Sequence, residues 1–405
     1  MSRTVAVIGG GAAGLMACGV VAERTDRVIL IERNKFLGRK LRITGKGRCN
    51  ITNSADVEDI IKNVPTNGKF LYSALYSFSN YDVISFFNEL GVETKEERGG
   101  RIFPVSDSAK EVADALSHFA LKKNVKKLSA VAKSIKVEDG KVVGVVTDKG
   151  FVSADSVILA TGGKSYPLTG SDGSGYRIAG KLGHTIIPPY PSLVAVVTNE
   201  KWVRDLMGLS LKNVLLKLYS KKLVYEDFGE MLFTHFGISG PIVLSASAHI
   251  KNTDSTDYRI EIDLKPALTE EQLDKRIQKD FLKFGKKHFI NSLDELLPKA
   301  LIPVIIDLAG IDPHKDTCNV TKEERMRFMK LIKALPLTVK RLGDISEAII
   351  TSGGVKVSEI DPSTMESKLV SGLYFAGEII DVDAYTGGFN LQIAFSTGHL
   401  AGENA

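Results

Sequence analysis

The sequence is poor in cysteine and tryptophan, and long uncharged apolar runs are scarce after its N-terminal region. Its three cysteines, Cys18, Cys49 and Cys318, are too few for a disulfide framework and favour a reducing compartment. The stretch from Val5 to Val21 is apolar like the core of a signal peptide. It contains five glycines, however, and falls short of the roughly 20 residues that span a bilayer. We therefore expect a cytoplasmic protein with no membrane partner.

Proline is also scarce, with 13 residues against 37 glycines, and charged residues make up 25% of the 405 positions. This composition excludes a collagenous or disordered chain, and the length predicts roughly two or three domains. No group of His and Cys has the spacing of metal ligands, and no Ser/His/Asp set stands out, so we expect no metal. The net charge of +5 is too small to indicate a partner by itself.

The N-terminal residues have the pattern of a dinucleotide-binding fold. Residues 4–8 read as a buried parallel strand, residues 9–14 as G-x-G-x-x-G, and a helical segment then leads to a second apolar strand ending at Glu32. The three glycines suit a tight turn, close approach to a pyrophosphate, and packing of helix on strand. The helix N-terminus favours phosphate. Glu32 can accept hydrogen bonds from ribose hydroxyls, which disfavours a 2′-phosphate.

Two later segments decide between FAD and NAD. Residues 151–163 end a strand in A-T-G-G, and residues 372–398 read as a strand, an acidic residue and a helix that starts near Gly388. These segments resemble the second and third motifs of two-dinucleotide-fold flavoproteins. In the third motif an acidic residue contacts the flavin ribitol, and Glu378 and Asp383 are both candidates for that acid. The helix N-terminus of the same motif stabilises negative charge on the reduced ring. The three motifs in order predict bound FAD.

A basic, glycine-rich loop at residues 37–53 lies between the first two motifs. Its glycines permit close backbone approach, and its Arg and Lys side chains can face phosphate oxygens; a solvated basic loop is the alternative. Cys49 has no C-x-x-C partner, so packing or flavin lining is favoured over a redox thiol. The predicted cofactor-binding residues are Gly9, Gly11, Ala12, Ala13, Gly14, Glu32, Arg33, Arg39, Lys40, Thr44, Gly45, Gly47, Arg48, Cys49, Asn50, Val131, Ala160, Thr161, Gly162, Gly377, Glu378, Asp383, Gly387, Gly388, Asn390 and Leu391.

The predicted flavin domain is discontinuous, comprising residues 1–189 and 346–405, with a Pro-rich junction at 188–191. Between its two parts, alternating and β-branched runs predict a β-domain at residues 190–264, and helical spacing predicts a helical domain at residues 265–345.

The helical part concentrates the net charge. It holds 16 Lys and Arg against 12 Asp and Glu, hence +4 of the total +5. Thr269 and Thr321 are its N-cap candidates, since acidic residues follow each of them. Either a solvated helix surface or a phosphate-rich partner explains the charge.

The sequence contains six segments in this order: GRKLRITGKGRCNITN, GGRIFPVSDSA, ATGGKSYPLTGSDGSGY, MLFTHFGISGP, TSGGV and AGEIIDVDAYTGGFNLQIAFSTG. With them, essentially the full chain closely resembles the BaiN/RdsA family of FAD-dependent oxidoreductases. The resemblance implies an α/β fold: a Rossmann-like FAD-binding domain with an inserted β-barrel-like and helical domain. It also implies reduction of a C=C bond conjugated to a carbonyl. The substrate would be a small-molecule alkene, such as a 3-oxo-4-ene or 4,6-diene bile acid or steroid, or a uridine of ribosomal RNA, giving dihydrouridine.

Both substrates require the same chemistry. The alkene β-carbon receives a hydride from flavin N5, negative charge develops on the carbonyl oxygen, and the α-carbon receives a proton. Candidates for stabilising that charge and supplying the proton are Arg101, His235, Tyr385 and Tyr166. For each of them a structural role is the alternative.

The source of electrons and two other functions stay open. No second G-x-G-x-x-G lies between a strand and a helix, so NAD(P)H would visit the flavin transiently. The alternatives are a flavin-bearing RNA-binding or redox-sensing module, and a flavin monooxygenase, which can also lack a second nucleotide fold.

Overall fold

A computed structural model of the protein describes residues 3–25, 27–251, 253 and 255–405. Within these residues the chain forms 19 strands and 11 α-helices. The strands are β1 (Thr4–Ile8), β2 (Arg27–Glu32), β3 (Thr52–Asn53), β4 (Thr94–Glu97), β5 (Arg101–Pro104), β6 (Val125–Ser129), β7 (Ala132–Glu138), β8 (Lys141–Thr147), β9 (Gly150–Ser153), β10 (Ser156–Leu159), β11 (Ile186–Ser192), β12 (Val196–Thr198), β13 (Ser210–Tyr219), β14 (Leu223–Phe233), β15 (Gly237–Ser239), β16 (Arg259–Asp263), β17 (Leu335–Leu342), β18 (Ile350–Val355) and β19 (Leu373–Phe375). The α-helices are α1 (Ala12–Arg24), α2 (Val57–Lys62), α3 (Tyr72–Ser77), α4 (Asn80–Glu89), α5 (Ala109–Ala120), α6 (Ser174–Lys181), α7 (Pro241–Ser247), α8 (Glu270–Lys283), α9 (Leu301–Ala309), α10 (Lys322–Lys333) and α11 (Phe389–Asn404).

The chain divides into two compact units. The first comprises the chain up to Ser192 and from Ile345 to Ala405, and the second runs from Leu193 to Asp344. The first unit is therefore discontinuous in sequence, because the second unit is inserted between β11 and β18.

The first unit is built around a five-stranded parallel sheet in the order β19-β10-β1-β2-β6. Every residue of β1 is buried, as expected for an apolar, β-branched strand covered on both faces. Small residues let α1 and α11 pack closely: a Cβ added at Gly398 would lie 2.4 Å from the Ala13 carbonyl oxygen. The predicted Rossmann-like α/β fold is confirmed.

Smaller antiparallel sheets also belong to the first unit: β3-β5-β4, β7-β8-β9 and the pair β11-β18. The segment KVVGVVTDKG contains β8 and the turn that leads into its antiparallel partner β9. The β3-β5-β4 sheet bears on the candidate site, because β3 begins at Thr52, near the end of the basic loop.

The second unit contains a closed six-stranded barrel in the order β12-β15-β14-β13-β16-β17. Its interior follows from residue alternation; in β17, for example, Leu335, Leu337 and Val339 are buried and the residues between them are exposed. The predicted β-barrel-like insert is confirmed. Neither unit contains, within the described residues, a helix of the length and apolarity needed to cross a membrane.

Three α-helices, α8, α9 and α10, lie in the chain between the barrel strands β16 and β17. The predicted N-caps are confirmed, since Thr269 and Thr321 each form a capping box with the side chain three residues later. The helical spacing predicted within residues 265–345 is wrong after Lys333, where α10 ends and β17 follows. Pro336 cannot continue a helix, and the alternating burial fits a strand. Residues 265–345 are thus not wholly helical, because they end in a barrel strand.

Candidate cofactor-binding and catalytic site

The C-terminal ends of four neighbouring strands meet at one edge of the parallel sheet. Gly9 follows β1, Glu32 ends β2, Ala160 follows β10, and Gly377 lies two residues beyond β19. The chain passes from β1 to β2 on one side, whereas β10 pairs with β1 on the other. Ligands of open α/β sheets bind outside the carboxyl ends of the strands at such a switch point. The fold therefore brings the three sequence motifs to one ligand-binding edge.

The glycine turn after β1 combines tight packing with ligand access. Gly9 has a φ of +108°, and an added Cβ would lie 2.4 Å from the Ala160 carbonyl oxygen. A Cβ at Gly14 would lie 1.9 Å from the Gly9 carbonyl oxygen, whereas at Gly11 it would meet no atom within 4 Å. The helix α1 begins at Ala12 without a side-chain N-cap. Its first N–H groups and positive dipole end are therefore available to an anion.

Glu32 is fixed against this turn and is only 9% exposed. One carboxylate oxygen accepts the Gly10 N–H at 2.6 Å, and the other accepts the backbone and side-chain N–H groups of Asn34 at 2.7 and 2.8 Å. Arg39 donates to the side-chain oxygen of Asn34 at 2.9 Å. Asn34 thus links the candidate cation to the candidate acid, which stands where dinucleotide folds bind ribose.

Arg33 and Val131 already have protein partners. Arg33 donates to both carboxylate oxygens of Asp172, at 2.7 and 2.9 Å, and this interaction lowers the pKa of Asp172 well below its usual range. The N–H of Val131 donates to the Asp148 carboxylate at 2.8 Å, and its carbonyl accepts the Asp148 N–H at 3.0 Å. The Arg33 guanidinium and the Val131 backbone N–H and carbonyl therefore have hydrogen-bond partners within the protein.

Lys40 and Glu378 form the centre of a polar network. The Lys40 ammonium donates to one Glu378 carboxylate oxygen at 2.7 Å and to the Ser165 hydroxyl at 2.7 Å. The other Glu378 oxygen accepts the Ser165 hydroxyl at 3.0 Å and the Thr351 N–H at 2.8 Å. Lys40 is 22% exposed at its side chain and Glu378 14%. The network holds a partly buried carboxylate in one position and balances its charge.

The basic loop carries backbone strain. Gly45, Lys46, Gly47 and Cys49 have φ values of 56°, 58°, 87° and 62°. Glycine adopts this left-handed region freely, but lysine and cysteine do so at a cost that the surrounding structure must offset. Burial raises the pKa of the Cys49 thiol to about 12. Because the thiol stays protonated at neutral pH, packing or cofactor lining is favoured over redox chemistry.

Arg48 holds this loop to the β3-β5-β4 sheet. Its guanidinium pairs with Glu97 and, at 2.6 Å, with Asp107, and it lies 4.3 Å from the centroid of the Phe103 ring. The hydrogen bond from Arg48 lowers the pKa of Glu97. Arg48, predicted to face phosphate, thus contacts two protein carboxylates. Thr44, within the same loop, donates its hydroxyl to the Leu41 carbonyl at 2.7 Å.

Two predicted residues carry buried polar atoms that lack a partner. The side-chain oxygen of Asn50 and the hydroxyl of Thr161 are buried and form no hydrogen bond within the described part of the chain. Buried polar side-chain atoms usually have at least one hydrogen-bond partner. Thr161 directly follows Ala160 at the end of β10, and Gly162, with a φ of 72°, turns the chain away. The Thr161 hydroxyl lies against α6, because a Cβ added at Gly175 would come within 1.9 Å of it. The Asn50 oxygen, in the basic loop, is a hydrogen-bond acceptor that a ligand could use.

The N-terminus of α11 forms another side of the edge. Gly388 has a φ of +98°, and an added Cβ would lie 2.2 Å from the Thr52 carbonyl oxygen, so the turn and β3 are in close contact. No side chain caps the helix. Its first turn, which includes Asn390 and Leu391, therefore offers N–H groups and a positive dipole end. Asn390 stiffens the preceding turn by donating to the Ala384 carbonyl at 2.8 Å and accepting the Ala384 N–H at 2.9 Å.

Asp383, the second acidic candidate, has no exposed surface. Its two carboxylate oxygens accept the hydroxyls of Ser192 at 3.0 Å and Ser352 at 2.9 Å. The side chain thus fixes the segment before α11 to β11 and β18. These hydrogen bonds give Asp383 a structural role, whereas Glu378 lies three residues after β19 of the parallel sheet.

Arg101 and Tyr385 lie near the N-terminus of α11. Arg101 opens β5 in register with Asn53, whose side-chain amide donates to the Gly387 carbonyl at 3.0 Å. The Arg101 side chain is exposed. Tyr385 is partly buried, and its carbonyl accepts the Asn390 side-chain amide at 3.2 Å. Arg101 donates its side-chain Nε–H to the Arg98 carbonyl at 3.0 Å. The backbones of two of the four catalytic candidates therefore lie by the same turn.

Tyr166 and His235 lie elsewhere. Tyr166 is partly buried in the first unit, with its ring centroid 6.0 Å from the Lys40 ammonium. His235 belongs to the second unit, where it is exposed and contacts the Phe236 ring edge-to-face at 4.8 Å. Tyr166 is thus associated with the Glu378 network, and His235 with the surface of the barrel unit.

Several residues of the site were not predicted. Ser165 and Thr351 surround Glu378, and Ser352 and Ser192 hold Asp383. The segment TSGGV, which contains Thr351 and Ser352, is one of the six segments behind the family resemblance, yet no role follows from its letters alone. Its residues come from strand β18, far in sequence from the motifs that they support.

The residues present fit the predicted FAD. The open space at Gly11 and the uncapped N-terminus of α1 offer an anion site at the sheet edge. The uncapped N-terminus of α11 and the partnerless Asn50 oxygen add unused hydrogen-bonding groups in the same unit. Glu32 and Glu378 add carboxylates on either side of the β1 turn. No group of three or more His, Cys, Asp or Glu side chains that could hold a metal ion occurs among the described residues.

Comparison with known proteins gives matches over nearly the whole chain. A family model described as "HI0933-like protein Rossmann domain" matches residues 3–404. The 3-dehydro-bile acid delta(4,6)-reductase of Clostridium scindens is 33% identical over 99% of this chain and 98% of its own. The ribosomal RNA dihydrouridine synthase of Haemophilus influenzae is 33% identical over 97% of this chain and 96% of its own.

A solved structure also aligns over the full length. It is the 3-ketosteroid delta1-dehydrogenase from Sterolibacterium denitrificans, which is 14% identical, with 99% of each chain covered and a TM-score of 0.52. At that identity the match concerns the fold alone.

Proposed function

The chain belongs to the HI0933-like Rossmann-domain family and is an FAD-dependent oxidoreductase; on that basis we propose that it reduces a C=C bond conjugated to a carbonyl. The names of both curated relatives support this reaction class. One specifies reduction at the delta(4,6) positions of a 3-dehydro bile acid, and the other specifies formation of dihydrouridine in ribosomal RNA. In each case the double bond is conjugated to a carbonyl, so one site chemistry serves both.

One observation carries the assignment to this site. Two helices of the first unit, α1 and α11, begin without side-chain caps, and the buried Asn50 side-chain oxygen of the basic loop has no partner within the described residues. A pyrophosphate at Gly11 would meet the α1 dipole, and the α11 dipole would favour negative charge near its own N-terminus. This arrangement supports binding of an extended dinucleotide along the sheet edge.

Bound FAD would supply the hydride. The chain itself would hold the substrate carbonyl, stabilise the negative charge that develops on its oxygen, and supply a proton to the α-carbon. Arg101 is our first choice for the charge and Tyr385 for the proton, because both lie by the turn that precedes α11. Tyr166 and His235 remain candidates for the same two roles.

The electron donor that we propose is NAD(P)H, bound transiently at the flavin. The described residues form a single parallel sheet with one glycine turn of the G-x-G-x-x-G type, and its strand ends are those assigned to FAD. A second dinucleotide would therefore share the access of the substrate, and the two would bind in turn.

Anaerobic spectroscopy tests the proposal. FAD-loaded protein is reduced with NADPH or NADH without oxygen and mixed with a 3-oxo-4-ene steroid or, separately, with unmodified ribosomal RNA. The proposal predicts that at least one alkene restores the spectrum of oxidised flavin. Reoxidation only by oxygen, with hydroxylation of the substrate, would identify a monooxygenase instead. Reduced flavin that neither alkene reoxidises would favour a binding or sensing module.

A further inference from the structure

We propose that the second unit carries a surface that binds the phosphate backbone of RNA at the C-terminal end of α8. We name this surface the α8 basic cluster, and it comprises Lys283, Phe284, Lys286, Lys287, His288 and His314. The inference rests on the proposed function for its chemistry and selects RNA as the molecule that carries the reducible base.

Charge is concentrated at this place in the chain. Residues 279–288, KDFLKFGKKH, contain four lysines and one aspartate. Lys286 and Lys287 are exposed, and neither forms an ion pair with any residue that the structure describes. Lys283 pairs with Glu295 at 2.7 Å, and Asp316 lies 3.9 Å from the His288 ring nitrogen. A third acid, Asp312, accepts the His314 backbone N–H at 2.9 Å. Since none of these acids pairs with Lys286 or Lys287, these two ammonium groups are available to a polyanion.

Two ammonium groups of the cluster lie over the same aromatic ring, that of Phe284. Lys283 Nζ lies 4.8 Å and Lys287 Nζ 4.7 Å from the centroid of the Phe284 ring. Cation–π attraction therefore restricts both side chains before any ligand arrives. The rings of His288 and His314 meet edge-to-face at 5.6 Å and add two further polar groups to the same surface. Preorganised cations lose less conformational entropy when they bind phosphates.

The backbone under the cluster is also fixed. The Lys287 carbonyl accepts the backbone N–H of Thr317 at 3.0 Å and its hydroxyl at 2.8 Å. The Gly285 carbonyl accepts the Cys318 N–H at 3.1 Å. These bonds join the turn after α8 to residues 317–318, so the lysines are presented on a supported turn.

Two simpler explanations account for less of this arrangement. A helix dipole favours cations in the last turn, which explains Lys283, but Lys286 and Lys287 lie beyond the helix. An interfacial helix binds an anionic membrane through an inserted apolar face in addition to its basic residues. Apart from Leu282, which is 85% exposed, the large apolar residues of α8 are buried in the unit. The charge complementarity of the cluster therefore favours a nucleic acid backbone.

The test measures binding of a short fluorescein-labelled single-stranded RNA to FAD-loaded, full-length protein by anisotropy over a range of KCl concentrations. The variant is Lys286→Gln/Lys287→Gln. Its matched control is Lys221→Gln/Lys222→Gln, which removes an equally exposed lysine pair from the turn between β13 and β14 of the same unit. Both variants lose the same charge, so any difference between them reports position.

We expect the α8 variant to bind roughly tenfold or more weakly at low salt, and its slope of log affinity against log salt to fall by about 1.4, at about 0.7 per phosphate contact. The control should match the wild type. Phe284→Leu, which keeps every charge, should show a smaller loss of affinity. An equal loss of RNA affinity in the two lysine variants would overturn the proposal. Binding of phosphatidylserine vesicles that depends on the cluster as strongly as RNA binding does would also overturn it.

The same preparations separate this inference from the proposed function. If the α8 variant retains RNA affinity while a steroid alkene reoxidises its flavin, the RNA surface is wrong and the reductase assignment stands. If RNA affinity falls as expected but no alkene, free or in RNA, reoxidises the wild-type flavin, the surface stands and the reductase assignment fails.

Discussion

The Lys40 ammonium lies 2.7 Å from the Glu378 carboxylate, although the two residues are 338 positions apart in the chain. The pair joins the basic loop to the turn that follows β19. Ser165 bridges the two side chains by accepting a hydrogen bond from Lys40 and donating one to Glu378. The contact neutralises a carboxylate that stands at the predicted flavin site. It also fixes the basic loop to the turn that follows β19.

The first prediction concerns this pair. Lys40→Gln leaves a largely buried carboxylate without its cation, so we expect the free energy of unfolding to fall by about 2 kcal/mol and FAD to bind more weakly. Urea unfolding and FAD titration of the same preparations measure both effects. Lys110→Gln is the control, because the Lys110–Asp114 pair is exposed and its loss should cost below about 1 kcal/mol. Equal losses in the two variants would show that the Lys40 contact is an ordinary surface pair.

The second prediction separates packing from binding in the glycine turn. At Gly11 an added side chain meets open space, so Gly11→Val should fold with nearly wild-type stability but lose the visible absorbance of bound FAD. Gly14→Ala should destabilise the fold itself, since its Cβ would overlap the Gly9 carbonyl oxygen. Thermal unfolding and the flavin spectrum report the two effects. A Gly11→Val protein that still binds FAD tightly would place the pyrophosphate elsewhere.

The third prediction concerns cysteine reactivity. Burial raises the pKa of the Cys18 and Cys49 thiols to about 12, whereas Cys318 is exposed. Iodoacetamide at neutral pH should therefore modify Cys318 alone in the folded protein, as mass spectrometry of digests can show. Alkylation of Cys49 at a rate comparable to that of Cys318 would show that Cys49 is a reactive thiol.

A fourth prediction follows for stability above neutral pH. The two buried thiols have raised pKa values in the folded state, so the stability linked to them is complete below the unfolded value of 9.0 and is lost as pH rises towards about 12. Between pH 8 and pH 10 we expect each thiol to contribute a loss of about 1 kcal/mol. Urea unfolding of wild type and Cys18→Ala/Cys49→Ala should show this difference in slope. If the free energy of unfolding of the two proteins changed in parallel with pH, the two thiols would not have raised pKa values in the folded state.

Local patterns sufficed for the parts of the fold that depend on neighbours in sequence. The strand at residues 4–8, the helix after the glycine turn and the capping boxes at Thr269 and Thr321 each follow from residues a few positions apart. The error at β17 arose where LIKALPL continues an apolar helical spacing. Barrel closure, a long-range interaction, decides that Leu335–Leu342 is a strand.

The site shows the same division. The residues that follow single strands, such as Gly9, Glu32 and Glu378, were predicted because the motif itself places them at a strand end. Their partners Ser165 and Thr351 come from distant segments, and only the folded sheet brings them together. Arg48 illustrates the converse, since its sequence context suggested phosphate while the fold supplies two carboxylates.

The mass of the product tests directly whether the protein reduces a C=C bond conjugated to a carbonyl. Anaerobic turnover of FAD-loaded protein with NAD(P)H and either a 3-oxo-4-ene steroid or unmodified ribosomal RNA, followed by mass spectrometry, reports which atoms the substrate gains. We expect a product with two additional hydrogen atoms and no additional oxygen, formed only when FAD is bound. A product that has gained oxygen, or substrate that is unchanged in both reactions while the flavin is fully reduced, would contradict this expectation.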